Sequence, residues 1–188
     1  MVEIFSIYWV KIFATLVVFI TFIILFLNSI DAKPNVSAAE LVKKELDQLD
    51  DSYIVFDNVI VESDRGMSLI SYVVVSPYGI FVITLCDLRG KISGDRDDRE
   101  WMFKGKGVSD TILNPLWENR KHVNALEKKI GSQSFIPLVV FTHAKLVDDF
   151  GPIAVRVEQL KLFFQGHTKR LIEQDSLESV VRILNENV

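Results

Sequence analysis

The chain has a single cysteine, Cys86, among its 188 residues. An internal disulfide framework is therefore excluded, and a domain of this length has to stand on its hydrophobic core. A lone thiol fits a reducing compartment. Histidine is also scarce, and His122 has no other His or Cys at metal-ligand spacing around it, which argues against a zinc site there. Basic excess is missing too: 21 Lys and Arg stand against 25 Asp and Glu, a net charge of −4. That balance excludes a broadly basic nucleic-acid surface. Internal repeats and low-complexity segments are absent.

What is present begins with a long apolar run. Residues 12–27, IFATLVVFITFIILFL, carry no charge and no helix breaker. With their flanks they reach about 20 residues, enough to cross a bilayer. Tyr8 and Trp9 suit an interfacial belt, and Lys11 can snorkel. A cleaved signal peptide would have a shorter apolar region and a small-residue cleavage site, and neither is seen. The expectation is a single-pass transmembrane helix within residues 1–30, contacting the membrane over residues 8–30. A linker over residues 31–36 contains Pro34, and a domain follows over residues 37–188. Lys33, Lys43 and Lys44 follow the span where only Lys11 precedes it, which places the domain on the cytoplasmic side.

Ser37 and Glu40 have capping-box spacing, and Leu41, Glu45, Leu46 and Leu49 continue a helix. Residues 53–61 read as a strand. Residues 69–94 are the centre of the chain. Ile70, Tyr72 and Val74 alternate with Ser71, Val73 and Val75; Ser76-Pro77-Tyr78-Gly79 is a tight turn; residues 80–86 are apolar at nearly every position. The charged run from Asp95 to Glu100 reads as a solvated loop, with Trp101 a packing anchor. Asn114 caps a helix with Pro115 at its first position, and Leu116, Val123 and Leu126 face the core. Residues 137–142 are a buried strand and residues 160–164 a last strand. Asp175-Ser176-Leu177-Glu178 opens a final helix with Val180, Val181 and Leu184 as its apolar stripe.

The central stretch resembles the core motif of the nuclease-related domain (NERD) family, a branch of the restriction-endonuclease-like superfamily. That motif reads I-D-H-V-V-V-x-P-x-G-[IV]-F-V-I-E-T-K-N-x-x-G-x-I-x-G. Pro77, Gly79, Phe81, Gly90, Ile92 and Gly94 match it without a gap. Residues 114–126 are similar to the family's N-P-x-x-Q-N-x-x-H-V-x-A-L. The resemblance implies an α/β fold, a restriction-endonuclease-like mixed sheet flanked by helices, over residues 37–185. It also implies a degenerate catalytic motif: the family's Asp falls on Ser71, its Glu on Thr84 and its Lys on Cys86. The family's first-helix Glu falls on Glu40, a position that helix capping also explains, and Glu118 stands where the family has Gln.

Such nucleases hold Mg²⁺ between carboxylates and activate water on it. A hydroxyl and a neutral thiol do not replace a carboxylate and an ammonium. The expectation is a catalytically inactive, membrane-anchored module with no catalytic residues, metal or cofactor, which binds an unidentified protein. Nucleic acid is a less favoured partner. Arg89, Lys91, Arg96, Arg99, Lys104 and Lys106 form a basic cluster, but Asp95, Asp97, Asp98 and Glu100 interleave with it. The alternative is a divergent Mg²⁺ nuclease whose ligands have migrated to Glu40, Glu118 and Asp87. Cys86 also has two readings: a redox thiol with its pKa lowered by Arg89 and Lys91, or an inert buried one.

Overall fold

The computed structural model describes residues 16, 17, 19–21, 23, 36–63 and 66–186. Most of the expected membrane span and linker lies outside these residues. Within the span, Leu16, Val17, Phe19, Ile20, Thr21 and Ile23 are helical and exposed. Among the described residues no helix is long and apolar enough to cross a membrane.

The domain is a mixed α/β structure built on two sheets. The first has strand order β1-β2-β3-β7-β9, with β1 Ile54–Ser63, β2 Gly66–Ser76, β3 Gly79–Cys86, β7 Phe135–Phe141 and β9 Ala154–Arg156. Strands β1, β2 and β3 form an antiparallel meander, while β3, β7 and β9 run parallel. The central hairpin closes through Pro77 and Tyr78. Gly79 pairs with Ser76 at φ 146°, and a Cβ there would collide with Ile136 of β7. The expected neighbouring strands are thus present and interior to the sheet.

Helices cover both faces. α1 (Ala38–Leu46) and α3 (Leu160–Gln165) pack on Tyr72, Val74, Phe81 and Ile83; α2 (Pro115–Ile130) and α4 (Gln174–Asn185) pack on Val73, Val75, Ile80 and Val82. A strand with both faces covered must be apolar at every position, which explains the unbroken run in β3.

Several expectations are corrected. Residues 160–164 are helical, not a strand. Leu160 and Phe164 are buried one turn apart while Leu162 is 71% exposed, whereas a strand would put all three on one face. The final helix begins at Gln174, capped by Glu173 without a side-chain bond, so Asp175 lies in its first turn rather than before it. The alternation of β2 also breaks. Ile70 shares a core with Val73 and Val75, and on β1 Phe56 shares it with Val59 and Val61. The ladder pairs Asp57 with Tyr72 and Val59 with Ile70, skipping Asn58 and Ser71; Asn58 is left-handed at φ 53°, and this reverses the facing of both strands.

A second sheet, order β6-β5-β4-β8, was not expected. It comprises β4 Gly90–Ser93, β5 Glu100–Gly105, β6 Val108–Leu113 and β8 Lys145–Leu146. Strands β3 and β7 leave the first sheet side by side, and after three residues each re-enters the second as the parallel pair β4 and β8. The two sheets enclose a third core of Cys86, Ile92, Trp101, Leu116, Phe141 and Phe150. Trp101, 1% exposed, is the anchor expected, and its indole N–H donates to Asp95 O at 2.6 Å.

Candidate functional site

The carboxyl ends of parallel strands are where open α/β sheets usually place ligands. Here those ends carry Thr84, Cys86 and Asp87 on the β3 side, and Thr142 and His143 on the β7 side. α2 lies across Thr84 and Cys86, because Asn114 caps it by accepting from Leu116 N at 2.9 Å and Pro115 fits the first turn.

Thr84 is 6% exposed and hydrogen-bonded inside the core. Its Oγ1 accepts from Asn119 Nδ2 at 3.0 Å and lies 2.9 Å from His122 Nδ1. The hydroxyl can donate to Nδ1 or accept from it, according to which ring nitrogen carries the proton. Burial lowers the pKa of His122, opposed by the charge of Glu118, so the ring is neutral at pH 7. Asn119, 1% exposed, also donates to Val82 O at 2.7 Å and Leu138 O at 3.1 Å, tying β3 to β7. Its Oδ1 is buried without a partner. His122 is a buried, hydrogen-bonded residue. Asn119 is not among the expected site residues; a polar residue on the core side of an amphipathic helix is its signal in the sequence.

Cys86 closes β3. Burial first, then the charges of Asp87 and Glu118, push its thiol up to about 12. The redox reading through Arg89 and Lys91 is therefore overturned: the neighbourhood of the sulfur is anionic and dry, and it holds the neutral thiol.

Asp87 joins the two strands as they pass between sheets. It accepts from Thr142 Oγ1 at 2.9 Å and pairs with His143 Nδ1 at 2.6 Å. The His143 bond, the largest effect, holds its carboxyl below the usual range; burial opposes it, and the Thr142 bond and the charges of His143 and Arg89 add smaller lowering effects.

Glu118 is exposed in the first turn of α2, close enough to act on both Cys86 and His122. Ser71 is half-buried opposite Asn58, one residue beyond the last β2–β3 pair, Tyr72 with Ile83. Glu40 is elsewhere. Its Oε2 accepts from Ser37 N at 2.9 Å while Glu40 N donates to Ser37 Oγ at 3.1 Å, a complete capping box on the helix covering the other face. Glu40 is thus not brought together with Glu118 and Asp87. Among the described residues no three His, Cys, Asp or Glu side chains are placed to hold a metal. Mg²⁺ takes hard oxygen ligands, carboxylates above all, in a near-octahedral array; the Cys86 thiol and the His122 imidazole are poor matches for it, and the Thr84 hydroxyl and Asn119 amide stand in a network that contains no carboxylate.

The nuclease-related domain profile matches residues 35–142. The chain belongs to the NERD family. An uncharacterized Bacillus anthracis protein is 33% identical over 99 residues, covering 50% of this chain. The match spans 45% of that relative's length. No solved structure matches the chain. The mixed α/β architecture is consistent with a nuclease-like fold. The matched NERD region contains the central hairpin, α2 and β7, so it includes the whole Thr84–Asn119–His122 network.

The basic residues of this NERD domain are redistributed by the second sheet. Lys104 pairs with Lys91, and Lys91 with Lys145, so three exposed lysines lie in one row across β5, β4 and β8. Arg96 leaves the cluster and faces a separate pocket.

Proposed function

We propose that this protein is a membrane-anchored, catalytically inactive NERD domain of restriction-endonuclease-like ancestry that serves as a binding module for a protein partner. One observation carries the reading: Thr84, at the position of the family's glutamate, is committed to a buried network with Asn119 and His122. A catalytic carboxylate must face its metal and water, whereas this hydroxyl is spent on holding α2 to the sheet. Cys86, at the lysine position, is a neutral thiol and supplies no charge to a phosphoryl group.

The test is cleavage of single- and double-stranded DNA and RNA with Mg²⁺ and Mn²⁺. Wild type and the triple variant Ser71→Asp/Thr84→Glu/Cys86→Lys are compared. Wild type is expected to be inert. Robust wild-type cleavage abolished by Glu118→Gln or Asp87→Asn overturns the proposal in favour of a divergent nuclease with migrated ligands.

The anchor is supported by the apolar run of residues 12–27 and by the exposed, helical Leu16, Val17, Phe19, Ile20 and Ile23 within it. Thr21 Oγ1 donates to Val17 O at 3.0 Å, which satisfies its hydroxyl inside the helix as a lipid environment demands. The domain is assigned to the cytoplasm. Lys33→Cys in a Cys86→Ala background is expected to resist an impermeant thiol reagent in intact cells, and labelling there refutes the orientation.

A further inference from the structure

Beside α2 lies a pocket of about 310 Å³ whose polar lining is Arg96, Arg120, Trp117 and Asp97, with Leu116 and Pro137 among its apolar lining residues. Trp117 and Arg120 are one turn apart on α2, so they share a face. Trp117 is 44% exposed, an indole left half in water at the start of a well-packed helix. Arg96 comes from the loop before β5. That loop is pinned to the helix cap, because Asn114 Nδ2 donates to Arg96 O at 2.9 Å and to Asp98 O at 2.6 Å. The guanidinium of Arg96 lies over Gly151: a Cβ on that glycine would stand 3.0 Å from Nη1, 3.2 Å from Cζ and 3.3 Å from Nε. Gly151 has φ +83°, so both its backbone and its missing side chain serve this seat.

Among the described residues neither Arg96 nor Arg120 is in an ion pair. In a chain of net charge −4, two guanidiniums without carboxylate partners converge on one concavity beside an indole face. We propose that this pocket binds a phosphate-bearing heteroaromatic ligand of mononucleotide size, either a free nucleotide or the 5′-phosphorylated end of a strand. The guanidiniums take the phosphate oxygens through paired, charge-assisted hydrogen bonds. The ring stacks on Trp117, which suits any base because every base has a π-face. The volume, at the lower end of small-molecule pockets, holds one such unit. Asp97 opposes the phosphate and limits affinity. The site does not depend on whether the Thr84 region is catalytically inactive, and its test reads binding alone.

The experiment titrates the full-length protein in nonionic micelles with adenosine 5′-monophosphate, adenosine and inorganic phosphate separately. Tryptophan fluorescence and calorimetry follow the binding. Trp101 is buried and Trp117 is not, so quenching that disappears in Trp117→Leu assigns the signal to the pocket. The nucleotide is expected to saturate, with adenosine and phosphate each at least about tenfold weaker. Arg120→Gln and Arg96→Gln should each weaken binding by about tenfold or more. Asp97→Asn should tighten it by severalfold, an outcome that a merely structural role for the loop would not produce. A short oligonucleotide with a 5′-phosphate is compared with its 5′-hydroxyl form. Saturation by the free nucleotide assigns that source, and saturation only by the phosphorylated strand assigns the strand end. Circular dichroism of each variant establishes that it is folded. No saturation by the nucleotide or the phosphorylated strand, or binding unchanged by Arg120→Gln in a folded variant, overturns the proposal.

Discussion

Thr84→Val is the sharpest perturbation of the network that fills the ancestral catalytic position. The two side chains have nearly the same volume, so no cavity opens, and the effect isolates the hydroxyl. Asn119 Nδ2 keeps two carbonyl acceptors for its two protons, Val82 O at 2.7 Å and Leu138 O at 3.1 Å, and is not orphaned. His122 Nδ1 is the group that loses its hydrogen-bond partner, the Thr84 hydroxyl at 2.9 Å. A buried polar atom left without a partner costs about 1–3 kcal/mol, and the new methyl recovers part of it, so a net loss of about 1–2 kcal/mol is expected. For a domain near 150 residues that corresponds to a fall in Tm of roughly 2–8 °C. Thermal unfolding followed by circular dichroism measures it, well above the imidazole range where His122 is neutral in both states. The double variant Thr84→Val/His122→Phe removes both partners and should lose less than the sum of the single changes. The sign of the pH dependence follows from the same ring. The folded-state pKa of His122 is lowered by burial below its ordinary 6.5. The unfolded chain therefore takes up the proton first as pH falls. Stability is complete above 6.5 and declines as pH drops from there through the folded value. His122→Phe should flatten that decline. A Thr84→Val variant as stable as wild type, with an additive double variant, would refute the network as a structural clamp.

Three further outcomes are expected. Lys91→Glu, placed between Lys104 and Lys145, replaces two like-charge cross-strand contacts by attractive ones and should raise stability by about 1 kcal/mol at low salt, an effect that chemical denaturation should show fading at high salt. Asp87 has a lowered folded-state pKa, so its contribution is present above the ordinary carboxylate range and is lost as pH falls through the folded value; Asp87→Asn should shift the acid-unfolding limb to a shallower slope in a pH titration of Tm. Cys86 should resist alkylation by a thiolate-selective reagent in the native protein and react after denaturation, because its thiol is buried with a pKa near 12.

Elements set by neighbouring residues were legible in the chain. The Ser37–Glu40 capping box, the Asn114–Pro115 start of α2 and the Pro77–Gly79 turn form through bonds spanning two to four residues, and each is found where its signature stands. The apolar run of β3 announced a strand covered on both faces, and the spacing of the motif pointed to the NERD family. Tertiary structure decided the rest. Residues 160–164 carry an apolar pattern compatible with either strand or helix, and only the core that receives Leu160 and Phe164 selects the helix. The facing of Ile70 depends on Asn58, twelve residues away and across a strand ladder. The second sheet exists because β3 and β7, separated by 55 residues in register, cross together into β4 and β8. That crossing brings Asp87 to His143 and Lys91 to Lys145. Likewise, the loop pinned by Asn114 brings Arg96 to Trp117 and Arg120. Such meetings depend on strand register and helix docking, which sum many weak contacts between distant residues, and no local spacing encodes them.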